Sequence, residues 1–231
     1  MKRIWQIIDE MVWKYSAYVP FYLTNTILRS LNKGSENILE LACGRGETMK
    51  ILQSNKHKFY SVGADIFESD LKEAKRNKTH DEYVLCDVRK LPFKENSFDI
   101  VLCMELIEHF ERENGMKLIE EMEKIAKKQV IITTPVGFLQ QDPCDGNPHQ
   151  EHKSGYYPFE FKKVGYNVSG FGVKISWWLT PSHSYLKKII KRVLRVIFSP
   201  FSYYFPNLGE RMICIKNIDA SSDEKFSSAS L

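Results

Sequence analysis

Apolar positions recur along this chain in two rhythms. Between residues 4 and 15, Ile4, Ile7, Ile8, Met11, Val12 and Tyr15 fall at helical spacing. A second helical stretch opens at Pro20 and closes near Leu31, with Gly34 as its stop signal. After that, short β-rich apolar runs alternate with charged helical stretches. Runs at 37–42, 59–64, 82–86, 98–103 and 129–134 read as strands. Stretches at 47–54, 69–78 and 111–127 read as the helices between them. This alternation predicts parallel βαβ units with right-handed crossovers, and so an α/β fold with a doubly wound sheet. Pro135 ends the fifth run and opens a loop, rich in Pro, Gly, Asp and Asn, that lasts to Gly155. A short helix at 156–165, a sixth strand at 166–171 and a seventh at 211–216 complete the pattern. The domain boundaries expected are a helical cover over 1–33, one α/β domain over 34–217 and a disordered, Ser-rich tail over 218–231. The domain carries a basic amphipathic insertion over 174–207.

Composition adds mainly exclusions. Of 231 residues, 43% are hydrophobic and 27% charged, which excludes fibrous and fully disordered chains. A net charge of +4 is too weak by itself to argue for a nucleic-acid partner. Five cysteines without CxxC or zinc spacing read as reduced thiols in a cytoplasmic protein. Asp9, Glu10 and Lys14 interrupt the apolar N-terminal stretch and argue against a signal peptide, and no uncharged apolar run is long enough to span a membrane.

The first strand leads into Ala42-Cys43-Gly44-Arg45-Gly46, after which a helix begins at Glu47. Small residues at such a turn let a ligand approach the backbone, and open α/β sheets bind ligands at the carboxyl ends of their strands. Glu40-Leu-Ala42-Cys-Gly44-Arg-Gly46 resembles motif I of the class I S-adenosylmethionine-dependent methyltransferases, of the methyltransferase type 11 kind, with Ala42 in place of the first glycine. Asp65 closes the second strand, Asp87 follows the third, and Leu91-Pro-Phe-Lys-Glu-Asn-Ser-Phe-Asp-Ile-Val-Leu-Cys103 is similar to the family's run into the fourth. The resemblance covers residues 34–172. A nicotinamide-binding protein would also use a glycine loop and an acid, but the GxGxxG spacing is absent.

The resemblance implies a mostly parallel seven-stranded, Rossmann-like sheet whose antiparallel seventh strand lies next to the fifth. It also implies S-adenosyl-L-methionine as cofactor. Asp65, with Ile66 beside it, would hold the ribose, and Asp87 and Val88 the adenine. Glu40 would support the methionine end, directly or through water, Ala42, Gly44 and Gly46 would belong to the cofactor-binding loop, and Met104 would line the sulfonium region. The alternative for Glu40 is a charge on a solvated strand end.

Beyond the fourth strand stand Glu105, Glu108 and His109, at i, i+3 and i+4. If they form one helical turn, they share a face. Three readings stay open: bracing of the helix, a general base at His109 or His152, and a divalent cation such as Mg²⁺ or Mn²⁺. The Glu-x-x-Glu-His cluster resembles the metal motif of small-RNA 3′-terminal 2′-O-methyltransferases and of ubiquinone-biosynthesis O-methyltransferases. In the RNA enzymes a further His follows strand five; here His149 and His152 lie in that loop, and His152 is the better match. The loop itself reads either as a substrate lid or as an Ω-like loop that satisfies its own backbone.

Over 185–198, Leu186, Ile189, Ile190, Val193, Leu194 and Ile197 fall on one helical face, with Lys187, Lys188, Lys191, Arg192 and Arg195 opposite and no acid among them. Aromatics follow to residue 205. The expectations are peripheral membrane contact through 185–205, or packing of the apolar face on the sheet, with an RNA backbone ranked below the membrane. Together these features predict methyl transfer to a small or lipid-like acceptor, with O-methylation favoured. The alternatives are a metal-dependent RNA 2′-O-methyltransferase-like enzyme and a non-catalytic module that binds a partner or a membrane.

Overall fold

The structure is a computed structural model, and it describes residues 20–54, 59–143, 147–174 and 185–218. The expected helix at 4–15 and the tail beyond 218 lie outside the described residues. The elements are α1 (Leu23–Ser30), β1 (Asn37–Leu41), α2 (Glu47–Ser54), β2 (Tyr60–Asp65), α3 (Glu68–Arg76), β3 (Glu82–Leu85), β4 (Phe98–Met104), α4 (Arg112–Ile125), β5 (Ala126–Pro135), α5 (Pro158–Lys163), β6 (Asn167–Phe171), α6 (Tyr185–Tyr204) and β7 (Arg211–Asn217). The seven strands form one sheet in the order β3-β2-β1-β4-β5-β7-β6. Strands β1 to β5 pair in parallel, and β7 runs antiparallel between β5 and β6.

Central strands read as near-continuous apolar runs because both sheet faces are covered. One face buries Leu39, Val101, Val130 and Cys214 against Leu118, Ile119 and Met122 of α4 and against Tyr156 and Phe161. The other buries Ile38, Ile100, Ile131 and Ile213 against Ile27 of α1 and Met49 and Leu52 of α2. The strand order turns back at β1, which pairs with β2 on one side and β4 on the other. A crevice therefore opens beyond the carboxyl ends of β1 and β4.

Two boundaries differ from the sequence pattern. α4 stops at Ile125, and Ala126, already extended, pairs with Phe98, so Lys127 and Lys128 belong to β5 rather than to the helix. α5 starts only at Pro158, because Tyr156 is held in bridges to Val136 and Gly137. The packing expectation for α6 is corrected in its described half. There the helix turns Ser199 and Ser202, both buried, toward the fold, while Ile197, Phe201 and Tyr204 are exposed.

Candidate active site

The glycine loop is shaped by backbone conformation. Gly44 and Gly46 have φ of +51° and +77°, and Ala42, where the family pattern has glycine, has φ +51°. A side chain in this left-handed region costs roughly 1–2 kcal/mol. Gly46 has a second constraint: a Cβ there would lie 2.0 Å from Thr79 Oγ1. Asp65 holds the loop in place, since its Oδ2 accepts from the Gly44 N–H at 2.8 Å and its Oδ1 from the Phe67 N–H at 2.8 Å.

Glu40 is buried below the loop rather than solvated. Its Oε2 lies 2.9 Å from His80 Nε2, and His80 Nδ1 lies 3.0 Å from Thr79 Oγ1. His80 is a residue that sequence reasoning missed; it lies on no motif, and only the fold brings it beneath β1. Cys43, in the same loop, has its thiol pushed up strongly by burial, with Glu40 and Asp65 adding to the shift.

Ala42, Asp65, Ile66, Asp87 and Val88 line one cavity of about 280 Å³, and His109 lines it too. Glu40, Gly44, Gly46 and Met104 do not. Met104 packs with the α1–α2 core instead, and Thr133 Oγ1 lies 3.9 Å from its sulfur. Arg89, also unforeseen, forks the Asp87 carboxylate, with Nε at 3.0 and 2.9 Å from its two oxygens. The Arg89 hydrogen bonds hold the Asp87 carboxyl below its usual range, so it is an ionised acceptor at neutral pH. Two acids at neighbouring strand ends around a cavity suit a ligand with vicinal hydroxyls and an amino group. The residues present therefore fit an adenosyl group.

The expected helical turn at 105–109 is not formed. Glu105 has φ +50°, and only Ile107–His109 make a short 3₁₀ turn. Glu105 consequently leaves the shared face, and its Oε2 pairs with Arg211 Nε at 3.0 Å. Glu108, His109 and His152 do come together, with one ligand atom of each within 4.8 Å of the others. Glu108 is 1% exposed. Its Oε2 accepts from Thr134 Oγ1 at 3.0 Å, while Oε1 is buried with no hydrogen-bond partner among the described residues. Burial pushes its carboxyl up to about 8, and the charge of Glu105 contributes.

The two imidazoles are oriented by backbone carbonyls. His109 Nδ1 lies 3.0 Å from Glu151 O, and His152 Nδ1 lies 2.7 Å from Leu139 O. A carbonyl accepts, so each Nδ1 carries its proton and each Nε2 keeps a lone pair in the neutral ring. Ligand histidines are commonly oriented this way. The orphaned carboxylate oxygen and this donor set fit a divalent cation. His149 lines the cavity but stands apart from the trio.

The loop after β5 both satisfies itself and builds the site. Lys153 and Ser154 donate their N–H groups to the Glu108 carbonyl at 2.8 and 3.1 Å, and Asn147 Oδ1 accepts from the His149 N–H. Arg112 reaches the Gly155 carbonyl at 2.8 Å and pairs with Glu160. The loop is thus stapled to the turn that carries Glu108 and His109.

Residues 39–133 match the sequence profile of a methyltransferase domain family. An uncharacterized protein of Methanocaldococcus jannaschii is 31% identical over 185 residues, covering 78% of this chain and 73% of that protein. A Xenopus tropicalis tRNA (carboxymethyluridine(34)-5-O)-methyltransferase, alkbh8, is 26% identical over 174 residues, which is 74% of this chain but only 26% of that protein. Among solved structures, the complex of the Haloferax volcanii Trm112 methyltransferase activator with its putative methyltransferase aligns with a TM-score of 0.60 at 14% identity, covering 94% of this chain and 95% of that one. The chain belongs to the class I S-adenosylmethionine-dependent methyltransferases, and it is an enzyme of that superfamily.

Proposed function

We propose that the protein transfers the methyl group of S-adenosylmethionine to an acceptor hydroxyl held beside a divalent cation at Glu108, His109 and His152. The observation that carries this reading is the buried, unpartnered Glu108 Oε1 next to two imidazoles whose Nδ1 atoms are engaged by backbone carbonyls. Two imidazoles and one carboxylate favour a borderline cation such as Mn²⁺ over Mg²⁺, which prefers an all-oxygen shell. Bound there, the cation would polarise an acceptor oxygen and lower the pKa of its hydroxyl. An imidazole lone pair committed to a cation is unavailable to a proton, so this reading replaces the general-base role of His109 and His152. Asp65 and Asp87 bind and orient the adenosyl group, and the Leu139 and Gln141 carbonyls of the loop after β5 position His152. Much of the rate would come from alignment, because the sulfonium methyl is already activated for in-line displacement.

A second reading has an RNA nucleoside as acceptor. The tRNA activity in the name of the Xenopus relative favours it.

Calorimetric titration separates the parts. We expect one-site binding of S-adenosylmethionine that is lost in Asp65→Ala and kept in His152→Ala. We expect one Mn²⁺ per chain, with affinity falling at least about tenfold in His152→Ala or Glu108→Gln. Absent cofactor binding in folded protein would overturn the donor assignment, and Mn²⁺ binding unchanged in His152→Ala would overturn the cation site. Methyl transfer to bulk tRNA, but not to small hydroxyl acceptors, would decide for the RNA reading.

A further inference from the structure

In its described half, α6 is an amphipathic helix turned inside out. The face toward the fold carries Arg195, Ser199 and Ser202, which repeat at helical spacing. Arg195 Nη2 pairs with the buried Glu210 at 2.5 Å, and Ser199 and Ser202 are 4% and 1% exposed. The contact with β6 is backbone-close, since a Cβ on Gly170 would lie 2.4 Å from the Ser202 carbonyl oxygen. The large apolar side chains point the other way. Ile197 and Phe201 are each 58% exposed, Tyr204 67% and Phe205 62%. Beside them lies an apolar hollow of about 290 Å³, lined by Val173, Phe198, Phe201 and Leu208, with Lys174 also on its lining.

We infer that α6 and the Pro206–Leu208 turn form a docking surface for an anionic lipid bilayer, with the aromatic stripe at headgroup depth and acyl chain in the hollow. Contiguous exposed apolar surface of this kind marks an interaction site. Charge chooses the occupant. By sequence α6 carries Lys187, Lys188, Lys191 and Arg192 besides the Glu210-paired Arg195, and no acidic residue. A helix rich in Lys and Arg, without acids, that exposes Ile197, Phe201 and Tyr204 suits an anionic bilayer interface. A second copy of this chain is the poorer fit, because a two-fold contact would set one all-basic helix against another. No helix of the described residues is long and apolar enough to cross a membrane, so the contact would be peripheral. Arg195 and Ser199 of α6 also line a cavity with Glu210 and Arg211, next to the Glu105 pair, which places the docking surface beside the carboxyl edge of the sheet.

Flotation of the full chain with vesicles tests this inference independently of catalysis. We expect the protein to float with phosphatidylcholine vesicles that contain phosphatidylserine, to float weakly with phosphatidylcholine alone, and to be released by raised salt. Phe201→Asp, at an exposed site, and the double variant Lys187→Glu/Lys191→Glu should each reduce binding at least about tenfold. Melting temperature and S-adenosylmethionine affinity should stay at wild-type values in both. The inference is overturned if the wild type does not float with anionic vesicles, or if the variants float as well as it does. It is equally overturned if the wild type is a dimer that Phe201→Asp converts to a monomer without any lipid binding, since the stripe would then be a self-association surface.

Discussion

At the scale of single residues, the cofactor loop is made by backbone conformation more than by side-chain chemistry. Ala42 is the informative position, because it sits at φ +51° where glycine would be unstrained. Ala42→Gly should relieve about 1–2 kcal/mol of left-handed strain and lose part of that to the greater freedom of glycine in the unfolded chain. The expected net gain is about 0.5–1 kcal/mol, or roughly 1–4 °C in a calorimetric melt at this chain length. An unchanged or lower melting temperature would show that Ala42 makes compensating contacts. The same scale holds what the motif could not disclose. Asp65 and Asp87 are visible as acids at strand ends. The partner of Glu40 is not, because His80 is forty residues away and meets it only when β1 lies over the turn before β3. Arg89 is local to Asp87, and an acid followed two residues later by Arg was a signal available in the sequence.

At the scale of elements, a glycine inside α4 shows how one helix is fitted to the site. Gly115 has a helical setting, where alanine would ordinarily gain up to about 1 kcal/mol. A Cβ there would lie 2.0 Å from the Tyr156 hydroxyl and 3.2 Å from its Cζ. Tyr156 is fully buried, and its loop neighbour Ser154 donates to the Glu108 carbonyl. Gly115→Ala should therefore destabilise the protein by about 1–3 kcal/mol through overpacking. The double variant Gly115→Ala/Tyr156→Phe should recover most of that loss in denaturant unfolding, since the hydroxyl's contact to Ile107 O is long, at 3.5 Å. A double variant no better than the single one would mean that the ring, not the hydroxyl, sets the limit. α6 carries the contrary lesson. Its amphipathic pattern was plain, but the fold packs the described half of the helix by its small polar face, and periodicity alone does not say which face a helix turns inward.

At the scale of the whole molecule, distant segments are tied at the amino end of the sheet by one carboxylate. Asp99 Oδ2 accepts from the Glu36 N–H at 2.7 Å and from Lys128 Nζ at 3.0 Å. Burial pushes the Asp99 carboxyl up, but these donors outweigh it and hold it below the ordinary value of 3.8. A depressed carboxyl contributes stability that is present above its unfolded value and lost as pH falls through the folded one. Asp99→Asn should cost about 1–2 kcal/mol near neutral pH, less than a fully buried pair because Lys128 is partly exposed. Parallel acid titrations of the two proteins should begin to draw together below about pH 4 and meet only below the depressed folded value of Asp99. A gap that persists into stronger acid would assign the loss to packing rather than to charge. The active-site edge is assembled across the same sheet: Asp65 and Asp87 come from β2 and the turn after β3, Glu108 and His109 follow β4, and His152 follows β5.

The order of apolar and charged runs determined the fold class, because a strand covered on both faces and a helix covered on one leave different periodicities. The same order determined which acids stand at strand ends, since a motif at a strand-to-helix turn carries its own geometry. Three things were decided only in three dimensions. The left-handed Glu105 takes that carboxylate out of the candidate cation site and gives it to Arg211, a contact between β4 and β7. His152 joins Glu108 and His109 because backbone hydrogen bonds staple a long loop to a short turn. The inward face of α6 follows from the close approach of Gly170 to Ser202 and from the buried Glu210 that receives Arg195. Each depends on residues far apart in the chain, and local patterning holds no record of such partners.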